Sequence, residues 1–192
     1  RRIEAAGNRA AARVEHLGPS WHVVTWPRTD LFSVASRAFD VAPRKEQAGF
    51  LAIGPGGIFA VTVADHGRTR VLIAGDVVQI NGRRPPYVTE ARREARQASK
   101  ALTRAVGHNV PVVPVLTFVG SGVISVYGLP KDCLVASHQD LDRLLIAGGA
   151  RISAHTAEKL AALARPPRTW LPEPARAEAD RYRWYGAGES AA

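Results

Sequence analysis

Residues of the types that hold divalent cations surround one apolar stretch of the sequence. Residues 48–67 contain two strand-like runs joined by the turn GPGG. Asp65 and His66 follow the second run, whereas Asp40 and Glu46 precede the first. Carboxylate oxygens are preferred ligands of Mg²⁺, and bound Mg²⁺ can activate water for hydrolysis of a phosphodiester. These four residues are therefore the candidates for metal-assisted chemistry beside this turn.

The register of the hairpin decides which side chains share a face. An even-numbered loop at GPGG predicts three facing pairs: Ile53 with Ile58, Leu51 with Ala60, and Gly49 with Thr62. Because side chains alternate along a strand, Thr62 and Ala64 lie on one face and Asp65 points to the other, unless a bulge shifts the register. Asp40 and Glu46 reach this face only if the charged turn PRKEQ folds over it. We therefore interpret all four candidates as solvated loop residues.

A row of cations lies on the longest predicted helix, Tyr87 to Val106. The row comprises Arg93, Arg96, Lys100 and Arg104, and two further cations, Arg83 and Arg84, precede the helix. The opposite face of the helix carries the predicted buried stripe, which consists of Ala91, Ala95, Ala98, Leu102 and Ala105. The net charge of +9 favours a polyanionic partner, nucleic acid first and an anionic membrane surface second. Such a row contacts phosphates without reading sequence. The alternative is a solvated face partly paired with Glu90 and Glu94.

Other groups of reactive residues have simpler explanations. No Lys-Ser or Lys-Thr follows GPGG, so it is a hairpin turn rather than a phosphate-binding loop. Ser137, His138 and Asp140 are neighbours at a predicted helix start, where a capping box explains them better than a hydrolytic triad does. The single Cys133 predicts a small core residue rather than a nucleophile and excludes a disulfide framework.

The order of elements predicts an α/β fold with a mixed central sheet flanked by helices. Before the central hairpin we expect a helix at Ile3–Leu17 and strands at Trp21–Trp26 and around Leu31–Phe39. Between the hairpin and the long helix we expect two short strands in residues 70–80 and a turn at Asn81-Gly82. Two further helices begin at Ser137 and Ser153. Residues 110–130 carry no charge, but their prolines and glycines split them into two β-rich runs. We predict a buried hairpin there rather than a membrane span.

Four segments in order resemble the nuclease-related domain family, NERD, a branch of the PD-(D/E)xK nuclease-like superfamily. They read AGNRAAARVEHLGPSWHVV, FLAIGPGGIFAVTVADHGRTRV, INGRRPPYVTEARREARQASKAL and VPVVPVLTFVG. The GPGG turn between apolar strands, followed by NG-x-x-PY and a helix, is the most specific part. The resemblance implies a restriction-endonuclease-like core over residues 1–172, with residues 173–192 as a flexible or docking tail.

The resemblance also implies where cleavage chemistry would lie. In that family three positions hold a metal ion: a Glu on the first helix, an Asp before the turn, and an acidic or amide residue on the next strand. A Lys two positions after the last of these orients the attacking water. The matching positions in this chain are Ala11, Gly49, Thr62 and Ala64. None of these residues offers a carboxylate or a positive charge. The resemblance therefore implies a degenerate nuclease with no catalytic residues and no metal.

The leading hypothesis is a NERD-like binding module that has lost cleavage and binds DNA or RNA through the basic helix, without a cofactor. One alternative is an active Mg²⁺-dependent nuclease with relocated acids, drawn from Asp40, Glu46, Asp65 and His66. Another is a protein-interaction domain that binds its partner through the aromatic tail. The chain has no Met, even at its first position. We therefore expect a preceding segment, which would tether an otherwise cytoplasmic protein to a membrane if it carried an anchor. The oligomeric state stays open.

Overall fold

The computed structural model describes residues 2–25 and 47–170. The predicted strand around Leu31–Phe39, the candidate acids Asp40 and Glu46, and the tail 173–192 lie outside the described residues. The helices are α1 (Arg2–Glu15), α2 (Tyr87–Val106), α3 (Leu141–Ile146) and α4 (Ala154–Ala164), with 3-10 turns at His138–Asp140 and Pro167–Trp170. The strands are β1 (His22–Thr25), β2 (Gln47–Gly54), β3 (Gly57–Ala64), β4 (Val71–Ala74), β5 (Val77–Ile80), β6 (Val113–Phe118), β7 (Ile124–Gly128) and β8 (Leu134–Ser137).

Five strands form a mixed sheet in the order β1-β2-β3-β6-β8. The β1–β2 and β2–β3 pairs are antiparallel, whereas β6 runs parallel to both β3 and β8. A smaller sheet has the order β5-β4-β7, with β4 antiparallel to β5 and parallel to β7. The predicted α/β class with a mixed sheet flanked by helices is confirmed. The second sheet was not expected from the sequence.

The central hairpin has the predicted register. Ile53 faces Ile58 and Gly49 faces Thr62, and the pairing closes at Gly54 and Gly57. The loop therefore contains only Pro55 and Gly56, which is an even number, as the predicted alternation requires. A second turn is also confirmed: Asn81 and Gly82 both have positive φ, as a type I′ turn demands.

The predicted buried hairpin in residues 110–130 is wrong. Its two runs form β6 and β7, but these strands belong to different sheets and do not pair with each other. After β6 the chain leaves the large sheet, and the Val71 N–H donates to the Val123 carbonyl at 2.9 Å in the small one. β7 also contains no buried residue, and Val126 and Tyr127 in it are exposed. Instead, β6 pairs in parallel with β3, and β7 pairs in parallel with β4. The apolar pattern along the chain predicts strands but does not specify which strands pair.

Helices cover both faces of the large sheet. The buried residues Ala6, Ala10 and Val14 of α1 recur every four positions and pack against Val61 and Val63 of β3. On the other face, α2 buries Ala95, Ala98 and Leu102 against β2, β3 and α4. The N-terminal part of α2 instead packs in a cluster shared with the small sheet.

Helix boundaries follow local signals. Gly107 ends α2 in a left-handed conformation, φ 88°, which glycine adopts without steric cost. Ser153 opens α4 as predicted, because its hydroxyl accepts the Thr156 N–H at 3.1 Å. The predicted capping box at Ser137 differs in detail, since its hydroxyl donates to the Asp140 carboxylate at 3.0 Å rather than bonding the backbone. No helix in residues 2–25 and 47–170 is both long and apolar enough to cross a bilayer.

Candidate nucleic-acid interface

The four positions at which the NERD resemblance implies cleavage residues are divided between two faces of the sheet. Ala11 of α1 packs with the cluster that contains Val61 and Val63. Thr62 and Ala64 alternate with those valines and therefore lie on the opposite face, below α2. The structure thus brings Gly49, Thr62 and Ala64 together, but not Ala11.

A carboxylate that the sequence analysis missed lies on the Thr62 face. The Thr62 hydroxyl donates to Glu94 Oε2 at 2.9 Å, and Thr62 itself is fully buried. Glu90, one turn earlier on α2, is also buried. The sequence did contain an indication of this position. Glu94 directly precedes Ala95 of the buried stripe, so it lies at the edge of the helix face that packs on the sheet. Among the described residues, no three His, Cys, Asp or Glu side chains are grouped so that they could hold a metal ion.

Asp65 is not the solvated loop residue that we expected. Its side chain is only 3% exposed and pairs with Arg2 at 3.0 Å and with Arg9 at 3.8 Å, both on α1. The Gly67 N–H also donates to its carboxylate at 2.9 Å. Burial alone would raise the pKa of Asp65, but the bonds from Arg2 and Gly67 and the charges of Arg2 and Arg9 together lower it below its ordinary value.

The partners of Asp65 place it on the α1 side of the sheet, away from Ala64, as the alternation predicts. Interaction with the arginines of α1 explains its burial, because a buried carboxylate needs charged or hydrogen-bonding partners. His66, the next residue, is half-buried, and its Nε2 hydrogen-bonds the Tyr87 hydroxyl. Asp65 and His66 therefore contact different elements and do not form one site.

The cationic row of α2 is exposed along its length. Arg93, Arg96, Lys100 and Arg104 all face solvent, opposite the buried stripe, and Arg83 and Arg84 are exposed before the helix begins. We call these six residues the α2 basic surface. Within the described ranges, no ion pair joins any of them to a carboxylate. Of the alternative interpretation, the solvated face is present in the described part of the chain but the ion pairs with Glu90 and Glu94 are not, and Glu94 accepts a hydrogen bond from Thr62.

Two less exposed cations, one of them next to the row, have carboxylate partners. Arg92, next to the row, pairs with Asp76 at 2.6 Å, and Arg13 pairs with Asp142 at 3.6 Å. The row differs from Arg92 and Arg13 in local charge balance as well as in exposure. Because its cations are not neutralised by described carboxylates, it presents uncompensated positive charge to a polyanion.

Two further candidates have structural roles. Ser137 donates to Asp140 and not to His138, so these residues do not form a nucleophile–base pair. Cys133 is buried in the cluster shared by the two sheets. Burial raises the pKa of its thiol to about 11, against a smaller opposing effect of Arg92, so the thiol is protonated at neutral pH.

Comparison with known proteins gives no relative from which a function could be carried over. No family model matches the chain, and no curated protein or solved structure matches it.

Proposed function

We propose that this protein is a nucleic-acid-binding module on a NERD-like, restriction-endonuclease-like scaffold that has lost metal-dependent cleavage. The order α1, antiparallel β2–β3 hairpin, α2 and parallel β6 supports this choice of scaffold. The observation that carries the binding proposal is the α2 basic surface, which is exposed and unpaired among the described residues.

The chemistry of this surface favours contacts to the phosphate backbone. Arg and Lys side chains neutralise phosphates and release condensed counterions, which makes binding strongly salt-dependent. The exposed positions of α2 carry no aromatic residue, so stacking of bases is not expected there. Binding should therefore be similar for unrelated sequences of equal length.

Charge reversal tests the proposal. The variant Arg93→Glu/Arg96→Glu/Lys100→Glu should weaken DNA binding at least about tenfold at low salt, and log K should depend on log salt with a slope about 2–3 units less steep. Fluorescence polarisation of a labelled duplex across a salt series measures both quantities. The matched control Arg68→Glu/Arg143→Glu/Arg151→Glu changes the net charge equally, at exposed positions on other elements, and should keep most of the affinity and slope.

The outcomes separate the hypotheses. Equal losses in both triple variants would show that overall charge, and not the α2 basic surface, drives binding. If the parent protein does not bind DNA even at low salt, the proposal fails and a protein-interaction domain becomes the better hypothesis.

A second candidate, a Mg²⁺-dependent nuclease, is favoured by one observation, the Glu94 carboxylate on the Thr62 face. We expect no cleavage of DNA by the parent protein with Mg²⁺ or Mn²⁺, because the described residues group no three His, Cys, Asp or Glu side chains that could hold the ion. Metal-dependent cleavage that disappears in Glu94→Gln but persists in Asp76→Asn, an exposed carboxylate elsewhere, would assign the enzyme instead.

A further inference from the structure

The outer edge of the small sheet exposes an apolar surface. Residues 119–130 carry no charged side chain. Within them, Tyr127 is 78% and Leu129 65% exposed, and Val123 and Val126 are each more than half exposed. We call these four residues the β7 patch. Contiguous exposed apolar residues of this kind mark interaction surfaces more often than isolated ones do.

A β-bulge shapes the patch. Ile73 of β4 pairs with Val126, but the next residue, Ala74, pairs with Gly128. Tyr127 is therefore an extra residue in the edge strand, and both Val126 and Tyr127 are exposed. A bulge interrupts the edge hydrogen-bonding ladder, so it opposes the addition of another strand. The patch consequently suits a partner that contacts side chains rather than the backbone edge.

The apolar surface continues from Leu129 into a groove of about 520 Å³. The groove is lined mainly by apolar residues, among them Val113 of β6, Leu134 of β8, Leu144 of α3 and Pro130 of the β7–β8 connection. Asp132 is the only charged residue among its described lining. Together the patch and the groove can accept apolar material without burying many charges.

Cations border the start of the patch. The segment with the exposed residues Arg68 and Arg70 runs beside its start, where the Gly122 N–H donates to the Thr69 carbonyl at 3.1 Å. At the other end, exposed Lys131 lies beside Asp132 and Asp76 and is balanced by them. An apolar surface with exposed cations at one end complements the acyl region and the anionic headgroups of a lipid surface. Tyrosine, which has an apolar ring and a polar hydroxyl, suits the boundary between these two regions.

We propose that the β7 patch docks this protein on an anionic lipid surface, with Val126, Tyr127 and Leu129 entering the headgroup–acyl boundary. Arg68 and Arg70, beside the start of the patch, contact the anionic headgroups. This contact is peripheral and uses elements other than the α2 basic surface, so it stands or falls separately from nucleic-acid binding.

Vesicle co-sedimentation tests the proposal. The parent protein should bind vesicles of mixed phosphatidylglycerol and phosphatidylcholine at least about tenfold more tightly than vesicles of phosphatidylcholine alone. Tyr127→Ser/Leu129→Ser should lose about tenfold of the binding to anionic vesicles. The control Ile146→Ser/Leu163→Ser removes exposed apolar residues on α3 and α4 and should stay within about twofold of the parent. Circular dichroism and the unfolding temperature confirm that each variant is folded.

Four results would overturn the proposal: no binding of the parent to anionic vesicles, equal binding to neutral vesicles, full binding by Tyr127→Ser/Leu129→Ser, or loss of binding in Arg93→Glu/Arg96→Glu/Lys100→Glu. The last result would move the lipid contact to the α2 basic surface. Retained binding by that triple variant, with loss in the double variant, supports the patch.

Discussion

Asp65 and Glu94 have environments that residue type alone does not reveal. Asp65 directly follows an apolar strand and resembles an ordinary loop acid in the sequence, yet two arginines of α1 hold it in a buried position. Glu94 is next to a row of cations in the sequence, yet its carboxylate accepts a hydrogen bond from the hydroxyl of buried Thr62. For both carboxylates, the partner is on an element distant in the sequence, at a separation of 32 residues or more. Tertiary packing therefore determines what each of these acids does.

The ion pairs of Asp65 lead to a prediction on stability. Asp65→Asn keeps the size of the side chain but removes the charge opposite Arg2 and Arg9, and should lower the free energy of unfolding by about 1–3 kcal/mol at pH 7. Urea denaturation followed by circular dichroism measures the loss. The control Asp76→Asn disrupts an exposed pair with Arg92 and should change stability little. Equal effects of both substitutions would contradict the structural role assigned to Asp65.

The lowered pKa of Asp65 gives this contribution a pH dependence. Because the folded-state pKa lies below the unfolded value of about 3.9, the contribution is fully present above pH 4 and is lost as the pH falls through the folded-state pKa. The difference in unfolding free energy between the parent and Asp65→Asn should therefore shrink as the pH is lowered below about 4. Denaturation curves at pH 7, 5, 4 and 3 test this. A constant difference across the series would show that Asp65 is not held as a paired carboxylate.

At the scale of elements, the β2–β3 hairpin depends on a glycine beneath a tryptophan. A Cβ added at Gly54 would lie 2.2 Å from Trp21 Cδ2, inside the ring's contact distance. Gly54→Ala should therefore lower the free energy of unfolding by about 1–3 kcal/mol. Gly128→Ala, in β7, meets nothing closer than 3.6 Å and should be nearly neutral.

A double-mutant cycle identifies the cause of the Gly54 effect. Trp21→Leu removes the ring, so the additional cost of Gly54→Ala in that background should fall by more than half relative to the parent background. Thermal or urea unfolding of the four proteins supplies the cycle. An unchanged cost would assign the effect to the backbone of the strand rather than to the contact with Trp21.

The elements differ in how much of them the sequence determines. The bounds of α2, the register at GPGG and the turn at Asn81-Gly82 were predictable, because each depends on periodicity or on residues adjacent in the chain. The pairing of β6 with β3 and of β7 with β4 was not, since parallel neighbours are chosen by packing across long connections. The same limit applies to the candidate interface. The exposure of Arg96 and Lys100 follows from helical spacing, but the bond between Glu94 and Thr62 requires the relative position of α2 and β3.

For the whole molecule, α2 joins the two sheets. Tyr87, Val88 and Ala91 at its start pack in the cluster that contains Ile73 of the small sheet and Phe118 of the large one. Ala95 to Leu102 continue along the large sheet with Leu51. The chain itself also crosses four times between the sheets, from β3 to β4, from β5 to β6, from β6 to β7 and from β7 to β8. Because the sheets share a helix and a core, we expect the described parts of both to unfold together.

Truncations in each sheet test this cooperativity. Ile73→Ala in the small sheet and Leu51→Ala in the large sheet each remove a fully buried side chain, so each should lower the free energy of unfolding by about 2–5 kcal/mol. Trp21 and Trp170 are buried in clusters of the large sheet, so in a Trp26→Phe/Trp184→Phe background the tryptophan fluorescence reports on that sheet. If the sheets unfold as one unit, Ile73→Ala shifts the fluorescence and circular dichroism transitions to the same lower urea concentration. A fluorescence midpoint that stays at the parent value while part of the dichroism signal is lost earlier would show that the small sheet unfolds independently.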